Sequence, residues 1–339
     1  MSTAERRPTL EAVAARAGVG RGTVSRVVNG SPKVSDAARE AVLLAIEELG
    51  YVPNRAARAL VTRRTDSIAL VVSESEERLF AEPFFARIVR GITDELTSTG
   101  MQLLLTFARA TDERIRLAQY LSGQHVDGVL LISAHGGDPL PVQLEAAGLP
   151  TVLGGLPVGL QPVSYVEIDN RGGAQQAVEH LIETGRRTIA IVAGPQDMLA
   201  GVNRLEGYRD ALRAAGRKVP ADLIGYGDFS EQSGATVMQQ LLEAHPDLDA
   251  VFAASDPMAL GAMRVLKHSG RRIPDDVAVV GFDDSPIGPH TDPALSTVHQ
   301  PVEEMGKQMT RLLLARIRGD AVNHLEIVLP TRLIVRGSG

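Results

Sequence analysis

The 339-residue chain contains no cysteine, which excludes disulfide bonds, thiolate metal ligands and thiol nucleophiles. It also lacks any run of about eighteen apolar residues, so we expect no membrane-spanning helix. The amino terminus is polar and carries Arg6 and Arg7 with no apolar stretch behind them, so we expect no secretion signal. These absences predict a soluble, cytoplasmic protein.

Recognisable catalytic signatures are absent as well. The eight histidines have no metal-ligand spacing, no G-x-S-x-G motif occurs, and no phosphate-binding loop precedes a helix. The adjacent carboxylates Asp283 and Asp284 resemble a glycosidase pair, but neighbouring acids at a strand end diverge and cannot flank one bond. We therefore expect no catalytic residue, no metal and no cofactor.

Charge is distributed unevenly along the chain. Residues 1–65 carry eleven basic and six acidic side chains, a net charge of +5, and the rest of the chain carries −11 of the total of −6. A small basic module on a larger acidic one favours a polyanionic partner for the first and its exclusion from the second. A solvated charged surface is the alternative explanation of the same numbers.

Residues 9–50 have the pattern of three short helices. The first is predicted at 10–17 and ends at a turn around Gly18. The apolar spacing of the second covers 23–29, and we expect that helix to start near Arg21 and Gly22. Ser35 is a suitable N-cap for the third helix, which ends at Gly50. Two helices joined by a glycine-containing turn are typical of a helix-turn-helix, although an ordinary helical hairpin with exposed arginines has the same pattern.

The second helix of such a motif points its amino-terminal end into the major groove of DNA. Arg21 is long enough to reach base edges, and Arg26 can donate two hydrogen bonds to guanine. Thr23, Ser25 and Asn29 are short polar groups suited to phosphates. With these we group, as predicted DNA contacts, Gly22 and the residues where the first helix begins, Thr9 and Leu10.

After Arg64, apolar strand-like runs alternate with helical stretches. The runs lie at 67–72, 102–106, 128–133, 188–193, 250–254 and 277–282, and a final strand is predicted at 325–335. This alternation is typical of βαβ units and a buried parallel sheet. It occurs in two blocks, about 66–160 and 163–290, which predicts two doubly wound lobes with a ligand cleft between them. No leucine heptad follows, so we expect no tetramerising coiled coil.

In open α/β lobes the ligand binds beyond the carboxyl ends of the strands. The polar and aromatic residues that the sequence places there, or in neighbouring loops, are Ser73, Ser133, His135, Arg204, Phe229, Ser255, Asp256, Asp283 and Asp284. A planar arginine with carboxylates binds neighbouring hydroxyls, and an aromatic face packs on the C–H surface of a sugar. The set is therefore typical of a sugar site.

Several of these positions have a second interpretation. Asp256 is equally suited to cap the helix that starts at Pro257, and Asp169 is better explained as a helix cap than as a ligand contact. His135 is also interpretable as a solvated loop residue. The three phenylalanines of the LFAEPFF segment either flank an open end of the cleft or belong to the core; they are Phe80, Phe84 and Phe85.

Residues 1–64, called the head below, closely resemble the DNA-binding head of the lactose-repressor (LacI) family. The resemblance is carried by TLEAVAARAGVGRGTVSRVVNG, LGYVPN and RAARAL, and it implies that Arg21, Gly22 and Arg26 read bases. It further implies a hinge helix on which Leu60 wedges into the minor groove and kinks the duplex, with Asn54 and Ala57 beside it. This sequence departs from the family in having Gly20 where a serine usually caps the recognition helix, and Gly22 leaves one reading position without a side chain.

The likeness continues to the carboxyl end through GPQDM, RLEGYRDAL, ASDPMALGAMRVLKHSGRRIPDDVAVVGFDD and TVHQP. It implies an α/β, periplasmic-binding-protein-like effector domain of two doubly wound parallel sheets behind an all-α helix-turn-helix head with a hinge helix at 1–64. The expected lobes are about 65–160 with 293–322 and about 163–290 with 323–339. By position, Arg204 and Asp283 match the main hydroxyl-binding pair of the family and Phe229 an aromatic wall, while the other matching positions are Ser73, Ser255 and Gln300. The full predicted effector set is Ser73, Phe85, His135, Arg204, Phe229, Ser255, Asp256, Asp283 and Gln300.

Stretches such as LFAEPFF, YLSGQHVDGVLLIS and VSYVEIDN are most similar to the cellobiose- and cello-oligosaccharide-responsive members. The resemblance therefore implies a homodimeric repressor of sugar-utilisation genes that a small sugar releases from a palindromic operator. A regulator with another effector, a co-repressed regulator or an activator remains open. A sugar-binding protein of the transport type shares the two lobes but is expected to lack the basic head.

Overall fold

The computed structural model describes residues 8–52, 64–108, 111–156, 159, 163–320 and 325–339. The chain divides into two compact units, Met1–Thr65 and Asp66–Gly339. The predicted hinge contacts Asn54, Ala57 and Leu60 lie outside the described residues. Within the described ranges, no helix is both long and apolar enough to cross a membrane.

The described residues of the first unit form three helices: α1 (Leu10–Ala17), α2 (Arg21–Val28) and α3 (Asp36–Leu49). Their inward faces bury a small core that includes Val13, Val24 and Val42. The turn after α1 is made by Gly18 at φ 65°, a left-handed conformation that costs residues with a side chain about 1–2 kcal/mol. Ser35 occupies the N-cap of α3, as predicted, without a side-chain capping hydrogen bond.

The second unit contains two six-stranded sheets. In sheet one the strands lie in the order β2-β1-β3-β4-β5-β11, and in sheet two β7-β6-β8-β9-β10-β12. The strands are β1 (Ser67–Val72), β2 (Gln102–Phe107), β3 (Gly128–Ile132), β4 (Thr151–Gly154), β5 (Ser164–Ile168), β6 (Ile189–Ala193), β7 (Ile224–Tyr226), β8 (Ala250–Ala253), β9 (Ala278–Asp283), β10 (Ser296–His299), β11 (Glu326–Leu329) and β12 (Arg332–Ile334).

Helices cover both sheets, as the βαβ pattern predicts. The described helices of this unit are α4 (Glu76–Ala81), α5 (Pro83–Leu96), α6 (Thr111–Tyr120), α7 (Leu140–Ala146), α8 (Asn170–Glu183), α9 (Leu199–Ala214), α10 (Glu231–Ala244), α11 (Asp256–His268) and α12 (Val302–Arg318). We call sheet one with α4–α7 and α12 lobe one, and sheet two with α8–α11 lobe two. The fold class predicted from the sequence is confirmed, with one difference: β12 pairs antiparallel to β10 at the edge of sheet two.

The chain passes between the lobes three times, as predicted, but each passage comes later in the sequence than the predicted boundary. Strand β5, expected in lobe two, pairs with β4 in sheet one. Strand β10, expected in lobe one, pairs with β9 in sheet two. The single strand expected at 325–335 is two strands, and β11 pairs with β5 in the other sheet from β12. Pro330 separates them, and proline has no N–H to continue a ladder of hydrogen bonds.

Both sheets share the same internal order, in which the second strand lies on one side of the first strand of the lobe and the later strands lie on its other side. Ligands of doubly wound folds bind at this switch point, outside the carboxyl ends of the strands. In lobe one it lies between β1 and β3, and in lobe two between β6 and β8. The fold therefore directs the loops after these four strands toward one cleft.

Candidate functional site

A cleft lies between the two lobes at the carboxyl ends of their strands, which is where doubly wound folds bind small molecules. Six of the predicted contacts line it: Phe85, Arg204, Phe229, Ser255, Asp283 and Gln300. Sequence reasoning therefore located the cleft and most of its central residues.

Arg204 is the central cation of the cleft. It lies on α9, is only 5% exposed, and donates from Nε to Asn170 Oδ1 at 2.7 Å and from Nη1 to the carbonyl of Ala254 at 2.6 Å. Its guanidinium stacks on the ring of Phe282, 3.8 Å from the ring centre, and its Nη1 lies 3.7 Å from Asp283 Oδ1. These contacts fix the guanidinium plane before any ligand arrives.

Asp283 ends β9 with a φ of 131°, a backbone conformation that L side chains seldom adopt. Its carboxylate accepts hydrogen bonds from Gln300 Nε2 and, at 3.3 Å, from the backbone N–H of Asp256. Burial raises the pKa of this carboxyl group, and the charge of Arg204 opposes the rise. Ser133 and Phe229 also line the cleft with positive φ, 56° and 72°, so backbone strain is concentrated in its wall.

Two polar residues of the cleft were missed by the sequence analysis. Asn170 starts α8 and donates from Nδ2 to Glu167 Oε1 at 2.8 Å. Glu167 is buried near the end of β5 and also accepts from the backbone N–H of Ile168 at 2.9 Å, and burial raises the pKa of its carboxyl group. The EIDN segment could have indicated both residues, because they flank Asp169. Asp169 was correctly predicted to cap the helix, and it accepts from Gly172 N at 2.9 Å.

Aromatic side chains supply the apolar walls. Phe229 packs with its ring centre 5.4 Å from the Arg204 guanidinium, and its carbonyl accepts from Ser255 Oγ at 3.0 Å. Phe84 and Phe85 meet edge to face, with ring centres 5.3 Å apart, and both line the cleft. Phe80 does neither of the things expected of it: its side chain is 79% exposed and outside the lining, because Glu82-Pro83 separates its helix α4 from α5.

Charged residues missed by the sequence analysis also line the cleft. Arg78 on α4 forms ion pairs with Glu74 and Glu82, each at 2.8 Å. In lobe two, burial acts to raise the pKa of Asp228, but hydrogen bonds from Ser230 and Ser233, with a contribution from the charge of Arg78, lower it. Arg87 reaches across the cleft, and its Nη1 donates to the carbonyl of Asp283 at 3.4 Å. The charged residues within and just before the LFAEPFFAR segment were the available signal.

Three of the predicted effector contacts lie outside the lining of the cleft. Ser73 is buried at the end of β1. The imidazole of His135 is half-buried between the carboxylates of Glu74 and Asp197 instead of being a solvated loop residue. Asp256 is fully buried and accepts from Thr297 Oγ1 at 2.5 Å and from the backbone N–H of Ser285 at 2.7 Å.

Asp256 does not cap α11, because Ser255 provides the cap by accepting from Met258 N at 3.2 Å. Burial raises the pKa of the Asp256 carboxyl group, and the neighbouring charge of Asp283 adds to the rise. Asp284 also turns away from the cleft, where its carboxylate contacts Arg336 at 2.6 Å and His299 at 2.9 Å. Asp256 and Asp284 therefore hold the loop that presents Asp283.

The first unit presents its predicted DNA contacts on and beside α2. Arg21, Arg26 and Asn29 are exposed, and Thr23 and Ser25 are half-buried. Asn29 donates from Nδ2 to Ser25 Oγ at 3.4 Å. Gly20 holds the N-cap position of α2 without a side-chain hydrogen bond, and its carbonyl accepts from the backbone N–H of Thr23 at 2.8 Å.

At the start of α1, Thr9 caps the helix by accepting from Ala12 N at 3.3 Å, and Leu10 is half-buried against the head core. Both have structural roles in the head, and their predicted contact with DNA remains a prediction.

Comparison with known proteins identifies these two units. Residues 9–54 match the model of bacterial regulatory proteins of the lacI family, and residues 178–339 match the periplasmic binding protein-like domain. The HTH-type transcriptional regulator CelR of Thermobifida fusca is 60% identical to this chain over 336 residues, covering 98% of this chain and 99% of the relative.

The chain belongs to the lacI family of bacterial regulatory proteins.

Other members of the lacI family align over nearly the same length. The ribose operon repressor of Halalkalibacterium halodurans is 35% identical over 97% of this chain and 96% of its own. The structure of a CelR–cellobiose complex covers 98% of this chain and 100% of that chain, with a TM-score of 0.80 and 58% identity. The lac repressor dimer bound to operator and the anti-inducer ONPF covers 98% of this chain and 99% of its own, with a TM-score of 0.86 and 30% identity.

The predictions of family and of function class are therefore confirmed. The protein is a DNA-binding transcriptional regulator, and its relatives are regulators and not enzymes. Its first unit corresponds to the helix-turn-helix head of the lacI family, and its second to the effector domain of that family.

Proposed function

We propose that this regulator represses genes of sugar utilisation and leaves its operator when a disaccharide of the cellobiose type binds between the lobes. The observation that carries the proposal is the fixed pair of Arg204 and Asp283 at the base of a cleft with phenylalanine walls. A guanidinium and a carboxylate held side by side can donate to and accept from neighbouring hydroxyls of one sugar ring. The phenylalanines offer faces for its C–H surface.

The size of the proposed effector follows from the extent of the cleft. Polar groups occur at its base, around Arg204, and also along the α4 side, around Arg78 and Glu82. Phe84, Phe85 and Phe229 supply the apolar lining. A ligand with two sugar rings has hydroxyls for both polar regions, and the similarity to a regulator whose structure contains cellobiose supports the same choice.

We assign DNA reading to α2, with Arg21 and Arg26 at base edges and the shorter polar residues at phosphates. The lac repressor structure to which this chain is similar is a dimer on its operator, and we propose a homodimer here for the same reason: a two-fold protein matches a palindromic site. Because the target is chromosomal DNA, the proposed location is the cytoplasm. The hinge contacts Asn54, Ala57 and Leu60 remain part of this proposal.

The test is a fluorescence anisotropy titration of the full-length protein on DNA from its own upstream region, with and without cellobiose. We expect tight, sequence-dependent binding that weakens about tenfold or more with saturating sugar, which requires about 1.4 kcal/mol of differential binding. Ribose and maltose serve as comparison sugars. Equal binding to the upstream DNA and to a scrambled duplex, unaffected by any of these sugars, contradicts the proposal.

Asp283→Asn tests the site itself. The variant should bind the operator normally and lose most of its response to cellobiose, because a hydrogen bond between a carboxylate and a hydroxyl is worth about 1.5–3 kcal/mol. Asp292→Asn, at a carboxylate fully exposed on lobe two, is the matched control and should respond like the parent protein. A normal response from Asp283→Asn removes this residue from the site.

A further inference from the structure

A histidine joins the two lobes beside the effector cleft. His135 lies in the loop after β3 in lobe one, and its Nδ1 is 2.8 Å from Oδ2 of Asp197, which lies in the loop after β6 in lobe two. On its other side, Nε2 is 3.3 Å from Oε1 of Glu74, at the end of β1. The imidazole is thus held between a carboxylate of its own lobe and one of the opposite lobe.

The charge of this cluster depends on one proton. A neutral imidazole has a single N–H and can donate to only one of the two carboxylates, whereas the imidazolium donates to both. The hydrogen bond to Glu74 raises the pKa of His135, burial opposes the rise, and Asp197 adds to it. Arg78 stands behind Glu74 at 2.8 Å, so the charged groups around His135 in the described structure are Glu74, Asp197 and, one step further, Arg78.

The position of the pair makes it sensitive to opening of the cleft. Beside it, the backbone N–H of Leu199 in lobe two donates to the carbonyl of Leu156 in lobe one at 3.1 Å, and Leu156 lines the cleft. Separating the lobes on this side breaks both contacts. Of the two, only the pair with His135 can be switched off by losing a proton near neutral pH.

We propose that His135 and Asp197 form a proton-dependent latch that holds the lobes closed and so retains the effector. The proposal rests on the assignment of the cleft as the effector site. His135 acts as a positioning residue, since it works through the lobes and outside the cleft lining. A closed cleft, with Asp197 in contact, binds the proton more tightly than an open one, so by linkage the proton favours closure. Effector affinity should therefore fall as pH rises through the pKa of His135.

The first measurement needs no effector. With ¹³Cε1-labelled histidine, NMR titration of the full-length protein reports the pKa of His135, assigned by its loss in His135→Gln. In the parent protein it should lie above the ordinary value of about 6.5. In Asp197→Asn it should fall by about half a unit or more, because the carboxylate of the opposite lobe is gone. An identical His135 pKa in the two proteins overturns the latch, whether or not any sugar binds.

The second measurement is calorimetric titration with cellobiose between pH 6.5 and 8.5, in two buffers of different ionisation enthalpy. The parent protein should take up a fraction of a proton on binding and lose about threefold to tenfold in affinity over this range. His135→Gln and Asp197→Asn should both bind more weakly at pH 6.5 and show a flatter dependence without this uptake. His268→Gln, at an exposed histidine whose Nδ1 lies 2.7 Å from the carbonyl of Arg264 in the same helix α11, is the control and should keep the slope.

The two measurements separate the possible failures. Absence of binding by every sugar tested contradicts the proposed function, while the NMR comparison still decides whether the lobes share the proton. If cellobiose affinity depends on pH in both latch variants as it does in the parent protein, the latch is overturned and the assignment of the effector site stands. Melting curves of each variant confirm that it is folded, and Asp197→Asn changes a half-exposed side chain.

Discussion

At the scale of single residues, the cleft is built from groups whose ordinary preferences are overridden by their neighbours. Arg204 is a buried cation, Asp283 is a half-buried carboxylate with a positive φ, and Asp256 is a carboxyl group without solvent contact. Positive φ at a residue with a side chain costs about 1–3 kcal/mol, and buried charge costs more unless it is paired. Such costs are typical of sites prepared for a ligand.

The buried Asp256 gives a prediction for the pH dependence of stability. Its pKa is raised in the folded protein, so the folded state keeps a proton that the unfolded chain releases near pH 4. The free energy of unfolding should therefore fall as pH rises from about 4 through the folded-state pKa. In Asp256→Asn, which stays neutral at every pH, urea unfolding at pH 5 and pH 8 should show a smaller decline than in the parent protein. Equal declines in the two proteins contradict the assignment.

How far the sequence predicts the site depends on what each residue contacts. Arg204 and Asp283 were found because strand ends and family position place them in the cleft. His135 and Asp256 follow strands in the same way, yet one contacts the opposite lobe and the other folds back against β10. A linear pattern shows that a side chain stands at a strand end and not which neighbour it meets. Glu167 was missed because its strand was assigned to the other lobe.

At the scale of elements, α5 and α12 lie so close that only glycine fits at the crossing. A side chain on Gly91 would collide with the backbone carbonyl of Glu303, and one on Gly306 with that of Ile88. The two glycines thus fit reciprocally, each against the backbone of the opposite helix. Because α12 returns the chain to lobe one after β10, this crossing fixes the last helix against the first part of the lobe.

Gly91→Ala should therefore lower the free energy of unfolding by about 1–3 kcal/mol, the usual cost of overpacking, as measured by urea denaturation followed by circular dichroism. Thr93→Ala is the matched control, two residues further along the exposed side of α5. It replaces a weaker helix former with a stronger one and should be neutral or slightly stabilising. If both variants unfold at the same urea concentration, the crossing has room that the structure does not show.

The elements differ in how well the sequence predicts them. Long buried strands such as β1, β3 and β6 were located within a residue or two, since continuous apolar runs identify them. The short strands β4, β7 and β10 carry too few apolar residues to stand out, and their place in a sheet depends on partners far away in the sequence. The crossings between lobes are long-range features of this kind, which is why the predicted boundaries failed there.

At the scale of the whole molecule, the two units carry net charges of opposite sign. The first carries a net charge of +5 in residues 1–65 and the rest of the chain −11. Binding to DNA by the first unit releases counterions, whereas a neutral sugar displaces none. The two activities of the protein should therefore respond differently to salt.

Operator affinity should fall steeply between about 50 mM and 200 mM salt, by about 10³-fold for six phosphate contacts, while cellobiose affinity should change little. Anisotropy and calorimetric titrations on one preparation measure the two quantities. Arg26→Gln should reduce the steepness only slightly if this residue reads a base edge, whereas loss of a full phosphate contact reduces the slope by about one. A flat salt dependence for the operator contradicts binding through α2.

The three passages of the chain between the lobes have a mechanical consequence. A single connection lets two lobes twist and slide against each other, but three connections restrict the easy motion to rotation about one hinge axis. Opening of the cleft is then nearly the same movement for every ligand. An effector therefore needs only to favour the open or the closed conformation for the rest of the protein to respond.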